Sequence, residues 1–149
     1  MAEIAALRLG CPVTFELSTT NVDKPPLDFV EIAERLEQFP NQQVLLTRTS
    51  RFVQKAELAP GCTFVVGVDT IVRIGDSKYY AGGDAERDAA IAAIASAGCR
   101  FLVFGRNVQG EFRALSHLPM IPEALRELCD EVPESDFRED ISSTELRST

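Results

Sequence analysis

The sequence contains one histidine, His117, among 149 residues, and that scarcity removes most nucleophilic catalysis at once. A Ser–His–Asp or Cys–His arrangement needs an imidazole as its base, and His117, followed by Leu118-Pro119, reads as a solitary loop or surface residue. Positive charge is short as well: 15 Lys and Arg stand against 23 Asp and Glu, for a formal net charge of −8. A general binder of the nucleic-acid backbone needs a basic face, so that class is set aside. A small anionic ligand held by a few local arginines or lysines is not excluded. No apolar run approaches the roughly 20 residues that span a bilayer, so no membrane partner is expected, and the start Met-Ala-Glu-Ile-Ala-Ala-Leu-Arg-Leu reads as a helix rather than a leader. The four cysteines, Cys11, Cys62, Cys99 and Cys129, include no C-x-x-C pair and are irregularly spaced. They read as separate thiols of a reducing cytoplasm, with no zinc site. Neither G-x-G-x-x-G nor G-x-x-x-x-G-K-[ST] occurs, which weighs against dinucleotide-binding and P-loop readings. Internal repeats, low-complexity tracts and linkers are absent too. A 45% hydrophobic content over this length suits one domain, residues 1–149, with a sizeable core.

What is there alternates between helix and strand signals. Residues 2–9 read as a helix closed by Gly10, and residues 13–18 as a strand. Asp28 and Glu31 form a capping box before a helix whose apolar stripe is Phe29, Ile32, Ala33 and Leu36. Residues 44–47 are a short buried-type strand, and a brief helix follows over 51–58. Residues 63–68 are apolar throughout, as in a strand covered on both faces. A helix over 69–74, a tyrosine-bearing loop over 78–83, and an alanine-rich helix over 84–97 ended by Gly98 come next. Residues 101–104 are another buried strand, 111–115 a short extended piece, and 122–129 a short helix begun by a proline. A loop then leads to a C-terminal helix. The class is α/β with a parallel sheet.

Ligands of such sheets bind beyond the carboxyl ends of the strands. Gly67-Val68-Asp69 falls at one such end: Gly67 permits close approach to the backbone, and Asp69 either accepts from ribose hydroxyls or caps the next helix. Gly105-Arg106-Asn107 follows another strand, and Arg106 is either a phosphate or base contact or a solvated arginine. Lys24 and Lys55 are candidates for phosphate contact or ordinary surface lysines, and Tyr79 and Tyr80 either stack on a base or pack their loop. Near the C-terminus, Ser142 and Glu145 form another capping box. The unpaired N–H groups of that helix start, with Ser143, Thr144 and Arg147, make either a phosphate grip or a plain helix cap.

The stretch Ile141-Ser142-Ser143-Thr144 with Arg147 resembles the C-terminal signature I-S-S-T-x-x-R of the nucleotidylyltransferase superfamily, which includes nicotinamide-mononucleotide adenylyltransferases and cytidylyltransferases. Phe64 to Thr70 is similar to that family's strand followed by G-x-D. Asn21 to Pro26 and Lys78-Tyr79-Tyr80 resemble a cytidylyltransferase-like branch. The likeness runs from about residue 3 to Arg147. It implies a Rossmann-like parallel sheet with helices on both faces, and transfer of a nucleotidyl group from ATP or CTP to a phosphorylated small molecule with release of pyrophosphate. It also implies Mg²⁺ accompanying the nucleotide, and nucleotide contacts at Gly67, Asp69, Ser142, Ser143, Thr144 and Arg147, to which the strand-end position of Arg106 adds a further candidate. The family's H-x-G-H motif is absent, so no catalytic residue is assigned. Residues 3–10 resemble the end of the helix that follows that motif. The first strand is therefore expected to be missing, the chain to start too late, and its activity to be lost. Open strand edges would favour a homo-oligomer. The alternative is a non-catalytic nucleotide-binding or interaction domain.

Overall fold

In the computed structural model, which describes residues 1–20, 25–118 and 120–137, the local signals become six helices and seven strands among those residues. Helix α1 (Ala2–Leu9) ends at Gly10, whose φ of 65° is the left-handed conformation a C-cap demands. Strand β1 (Phe15–Ser18) follows. Helix α2 (Phe29–Leu36) begins in a reciprocal capping box: the Glu31 N–H donates to Asp28 Oδ1 at 2.9 Å, and the Asp28 N–H to Glu31 Oε2 at 3.0 Å. Strand β2 (Val44–Thr47), helix α3 (Phe52–Leu58), strand β3 (Thr63–Gly67) and helix α4 (Val68–Gly75) come next. A 3₁₀ turn at Ser77–Tyr79 leads into α5 (Gly83–Ser96) and β4 (Arg100–Phe104). The chain then forms a hairpin, β5 (Arg106–Val108) with β6 (Glu111–Arg113), before α6 (Glu123–Arg126) and β7 (Cys129–Val132).

The protein is mixed α/β, with parallel sheets flanked by helices. β3, β4 and β7 form a three-stranded parallel sheet in that order, and β1 and β2 a separate parallel pair. β4 is central and covered on both faces. Phe101 and Val103 join Val66 in one core with Ala56 of α3, Val68, Ile71 and Ile74 of α4, Ile91 and Ile94 of α5, and Leu125 of α6. Leu102 and Phe104 turn to the other face, against Ala5 of α1 and Val132. Two-residue alternation of an apolar strand thus feeds two cores. Phe52, Phe64 and Phe101 sit in a triangle with ring centroids 5.2–5.6 Å apart.

Four expectations change. The α2 stripe is not buried: Phe29 is 90% exposed, and no residue of that helix is buried. β2 is not of the buried type, since Leu45 and Leu46 are 52% and 46% exposed. Both follow from the two-stranded β1–β2 sheet, which is too narrow to cover a helix and a strand face. Residues 129–132 form a strand where the end of a helix and then a loop were expected. Its Asp130 and Glu131 mask the signal, yet Asp130 pairs across the ladder with Arg100 Nε at 3.2 Å. Arg106 opens a strand rather than sitting in a loop. The two-residue turn Gln109-Gly110, with φ values of 54° and 88°, is the hairpin signal the sequence carried.

The hairpin folds tightly onto the end of β4 at Gly105. A Cβ there would meet the Phe112 ring and stand 2.7 Å from the Arg113 carbonyl oxygen. Gly105→Ala is therefore expected to lower stability by about 1–3 kcal/mol through overpacking, read as a shifted denaturant midpoint with an unchanged slope.

Candidate functional site

The carboxyl ends of β3 and β4 build the site. β3 ends at Gly67, which is also the N-cap of α4, and no side chain caps that helix. Its first N–H groups therefore keep their hydrogen-bonding capacity, at the positive end of the helix dipole. Gly67 has an ordinary φ of −82°, and a Cβ built on it would meet nothing within 4 Å. The fold does not require glycine here, and the space beside this backbone is open.

Asp69 lies in the first turn of α4 but makes no capping bond. Its Oδ2 instead stands 2.6 Å from Arg106 Nη1, with the two side chains 53% and 46% exposed. The capping alternative for Asp69 and the solvated-loop alternative for Arg106 both give way to this ion pair. At that exposure the pair stabilises the fold by at most about 1 kcal/mol, so an incoming phosphate can exchange for the Asp69 carboxylate on Arg106.

The hairpin adds a second cation that sequence reasoning did not single out. Arg113 is directly opposite Arg106 in the β5–β6 ladder, so both project from the same face. Among the described residues Arg113 has no carboxylate partner. It lines a cleft of about 480 Å³ together with Val72, Asp76, Ser77, Arg87 and Ile121. Val72 is one turn along α4 from Asp69. The Arg87 guanidinium is 17% exposed and is held at 2.8 Å by Asp84 and 2.9 Å by Asp88. Nothing local marks Arg113 in the sequence, because its neighbourhood depends on the hairpin closing.

The other candidates separate from this rim. Lys55 is neither free nor a bare surface lysine: its Nζ lies 2.5 Å from Glu16 Oε2 at 13% exposure, and the same carboxylate accepts from the Thr47 hydroxyl. That network ties α3 to the β1–β2 pair. The Tyr80 hydroxyl donates to the Ile74 carbonyl at 2.9 Å, so Tyr80 packs its loop, under the Arg51 guanidinium at 5.6 Å. Lys78 covers the Tyr79 ring at 4.9 Å. His117 is exposed, and its Nδ1 accepts from the Ala114 N–H at 3.2 Å. Lys24, Ser142, Ser143, Thr144 and Arg147 lie outside the described residues.

Among the described residues no three His, Cys, Asp or Glu side chains gather as a metal cage, and no helix is long and apolar enough to cross a membrane. Asp69 supplies one hard oxygen at the rim, which suits a Mg²⁺ carried in on phosphate oxygens rather than one held by the protein alone. Comparison with protein-family models, curated proteins and solved structures yields no match for this chain.

Proposed function

We propose that the chain is a nucleotidylyltransferase-like domain that binds ATP or CTP at the carboxyl rim of β3 and β4. The parent reaction joins a phosphate oxygen of a small acceptor to the nucleotide's α-phosphorus and expels pyrophosphate. The observation that carries this reading is the meeting of Asp69 and Arg106 at the uncapped start of α4, because the G-x-D and F-G-R stretches are far apart in sequence. In this reading the N–H groups of α4 and the Arg106 guanidinium neutralise phosphate charge, Asp69 releases Arg106 and turns to a ribose hydroxyl, and Ser142, Ser143, Thr144 and Arg147 are the further triphosphate contacts that the resemblance implies. A Mg²⁺ carried in with the nucleotide would offset the charge that develops on its phosphates, and Asp69 is the described residue that would help hold it. The fold is then one Rossmann-like sheet ordered β2-β1-slot-β3-β4-β7, with the first strand belonging in the slot.

Among the described residues the facing edges of β1 and β3 are unpaired, which favours the second reading: nucleotide binding without turnover. Both readings predict binding, and calorimetric titration with ATP and CTP tests them. Gly67→Ala meets no atom and is expected to change stability by less than about 1 kcal/mol, since the poorer N-cap offsets the stiffer unfolded chain, while weakening nucleotide affinity because the added methyl occupies the approach to the backbone. Arg106→Ala and Arg147→Ala are each expected to cost about 1–3 kcal/mol of binding, the scale of a charge-assisted hydrogen bond. Titrations that show no heat with either nucleotide, or variants that bind like the parent, would remove the proposal.

A further inference from the structure

All four cysteines are free, but two of them stand closer together than their spacing suggests. Cys62 Sγ and Cys99 Sγ are 4.0 Å apart, although 36 residues intervene (99 − 62 − 1). The ladder brings them together. Thr63 and Arg100 are Cα partners in β3 and β4, and each cysteine immediately precedes its member of that pair. The pairing continues past the strands: the Arg100 N–H donates to the Cys62 carbonyl at 3.1 Å and the Gly61 N–H to the Ala97 carbonyl at 2.8 Å. Adjacent strands lie about 4.8 Å apart, inside the roughly 4.4–6.8 Å Cα separation that a disulfide accepts. Cys99 is 1% exposed, while Cys62 is half-buried and is the member a reagent can reach.

We propose that Cys62 and Cys99 form a dithiol modification site that reacts as a unit with small-molecule disulfides, closing to an intramolecular disulfide across β3 and β4. In the first step the Cys62 thiolate attacks one sulfur of the reagent, and one reagent thiol leaves. Cys99 then attacks the Cys62 sulfur as its thiolate, and the second reagent thiol leaves. One protein S–S bond forms, one reagent S–S bond is reduced, and the two cysteine protons finish on the two released thiols. The site sits at the amino ends of β3 and β4, at the opposite end of the strands from Asp69 and Arg106, and the bridge encloses α4 and α5 in a covalent loop. Burial, and then the neighbouring Cys99, push the Cys62 thiol up to about 12. Its thiolate is scarce at neutral pH, so closure is slow there and quickens in alkali. This proposal is independent of the nucleotide reading.

The 149-residue chain is incubated with oxidised glutathione, alkylated and weighed intact, then digested and mapped. The expected product is a monomer lacking two hydrogens, with two of its four thiols protected and Cys62 joined to Cys99. Dithiothreitol restores all four thiols. The closed form is expected to melt roughly 5–15 °C higher, from the entropy removed by a loop of this length. Cys11→Ser, which removes the exposed thiol, leaves closure intact, while Cys62→Ser and Cys99→Ala each abolish it. Mapping on the parent chain decides the matter even if a variant fails to fold. Four alkylatable thiols after oxidation, glutathione remaining on Cys62, or only intermolecular dimers through Cys11 would each overturn the proposal.

Discussion

Pyrophosphate release from ATP or CTP, with phosphorylated acceptors present, is expected to be undetectable for the 149-residue chain. On the proposed nucleotidylyltransferase reading, it is expected to rise by about four orders of magnitude or more in a chain given an N-terminal strand ending in H-x-G-H. Nucleotidyl transfer gains most of its acceleration from groups placed where charge develops, and each such donor is worth roughly 10²–10³ in rate. Two histidines are missing from the machinery the resemblance implies, and the single His117, whose Nδ1 accepts from the Ala114 N–H, cannot supply both. The structure supplies the second half of the argument. β1 and β3 each present an unpaired parallel edge among the described residues, while Leu45, Leu46, Phe29 and Val30 leave the β1–β2 side uncovered. A strand added between β1 and β3 would satisfy both edges and bring the β1–β2 pair into the main sheet. The extended protein is therefore expected to melt higher and to stay monomeric where the short chain associates, since open edges and apolar patches drive association. A phosphate-release assay alongside light scattering tests both halves. Robust turnover by the short chain, monodisperse and unextended, would sink the idea and transfer the charge-stabilising role to Arg106 or Arg113.

Phe101→Ala is expected to cost about 3–5 kcal/mol, a large share of the roughly 5–15 kcal/mol that holds a domain of this size together. Phe101 is fully buried on the central strand and meets both Phe52 and Phe64 with centroids 5.6 Å away. Its removal loses apolar transfer energy, leaves a cavity walled by α3, α4 and α5, and breaks two aromatic contacts worth about 0.5–1.5 kcal/mol each beyond burial. Phe104 on the opposite face contacts Phe137 at 4.9 Å, and Phe137 is half-buried. Phe137→Ala is expected to cost less, because the lost ring was partly solvated. Urea denaturation of both variants checks the ranking, and equal losses would show that the two faces of β4 contribute alike.

The elements the sequence determined by itself are those whose signals are local. The Asp28–Glu31 box closes within one helical turn, Gly10 stops α1 by its left-handed φ, and the apolar runs read at 63–68 and 101–104 fall on β3 and β4. Helix and strand alternation was enough for the α/β class with parallel pairing. Part of the site was legible for the same reason: Gly67 and Asp69 follow directly from the end of a recognisable strand. Tertiary structure alone decided the rest, because it depends on which distant segments close against each other. The Asp69–Arg106 pair exists because β4 lies beside β3 and the hairpin folds back at Gly105. Arg113 and the cleft it lines appear only once that hairpin forms, and Lys55 is paired because Glu16 reaches it from β1. β7 escaped notice because its adjacent Asp130 and Glu131 look like a loop until the strand pairs with β4 and Asp130 meets the Arg100 guanidinium. The α2 stripe shows the converse. Its periodicity set a helix, but burial needs a partner surface, and the narrow β1–β2 pair leaves Phe29 in solvent. Periodicity encodes which face of an element is apolar, and only the packed chain supplies what covers it.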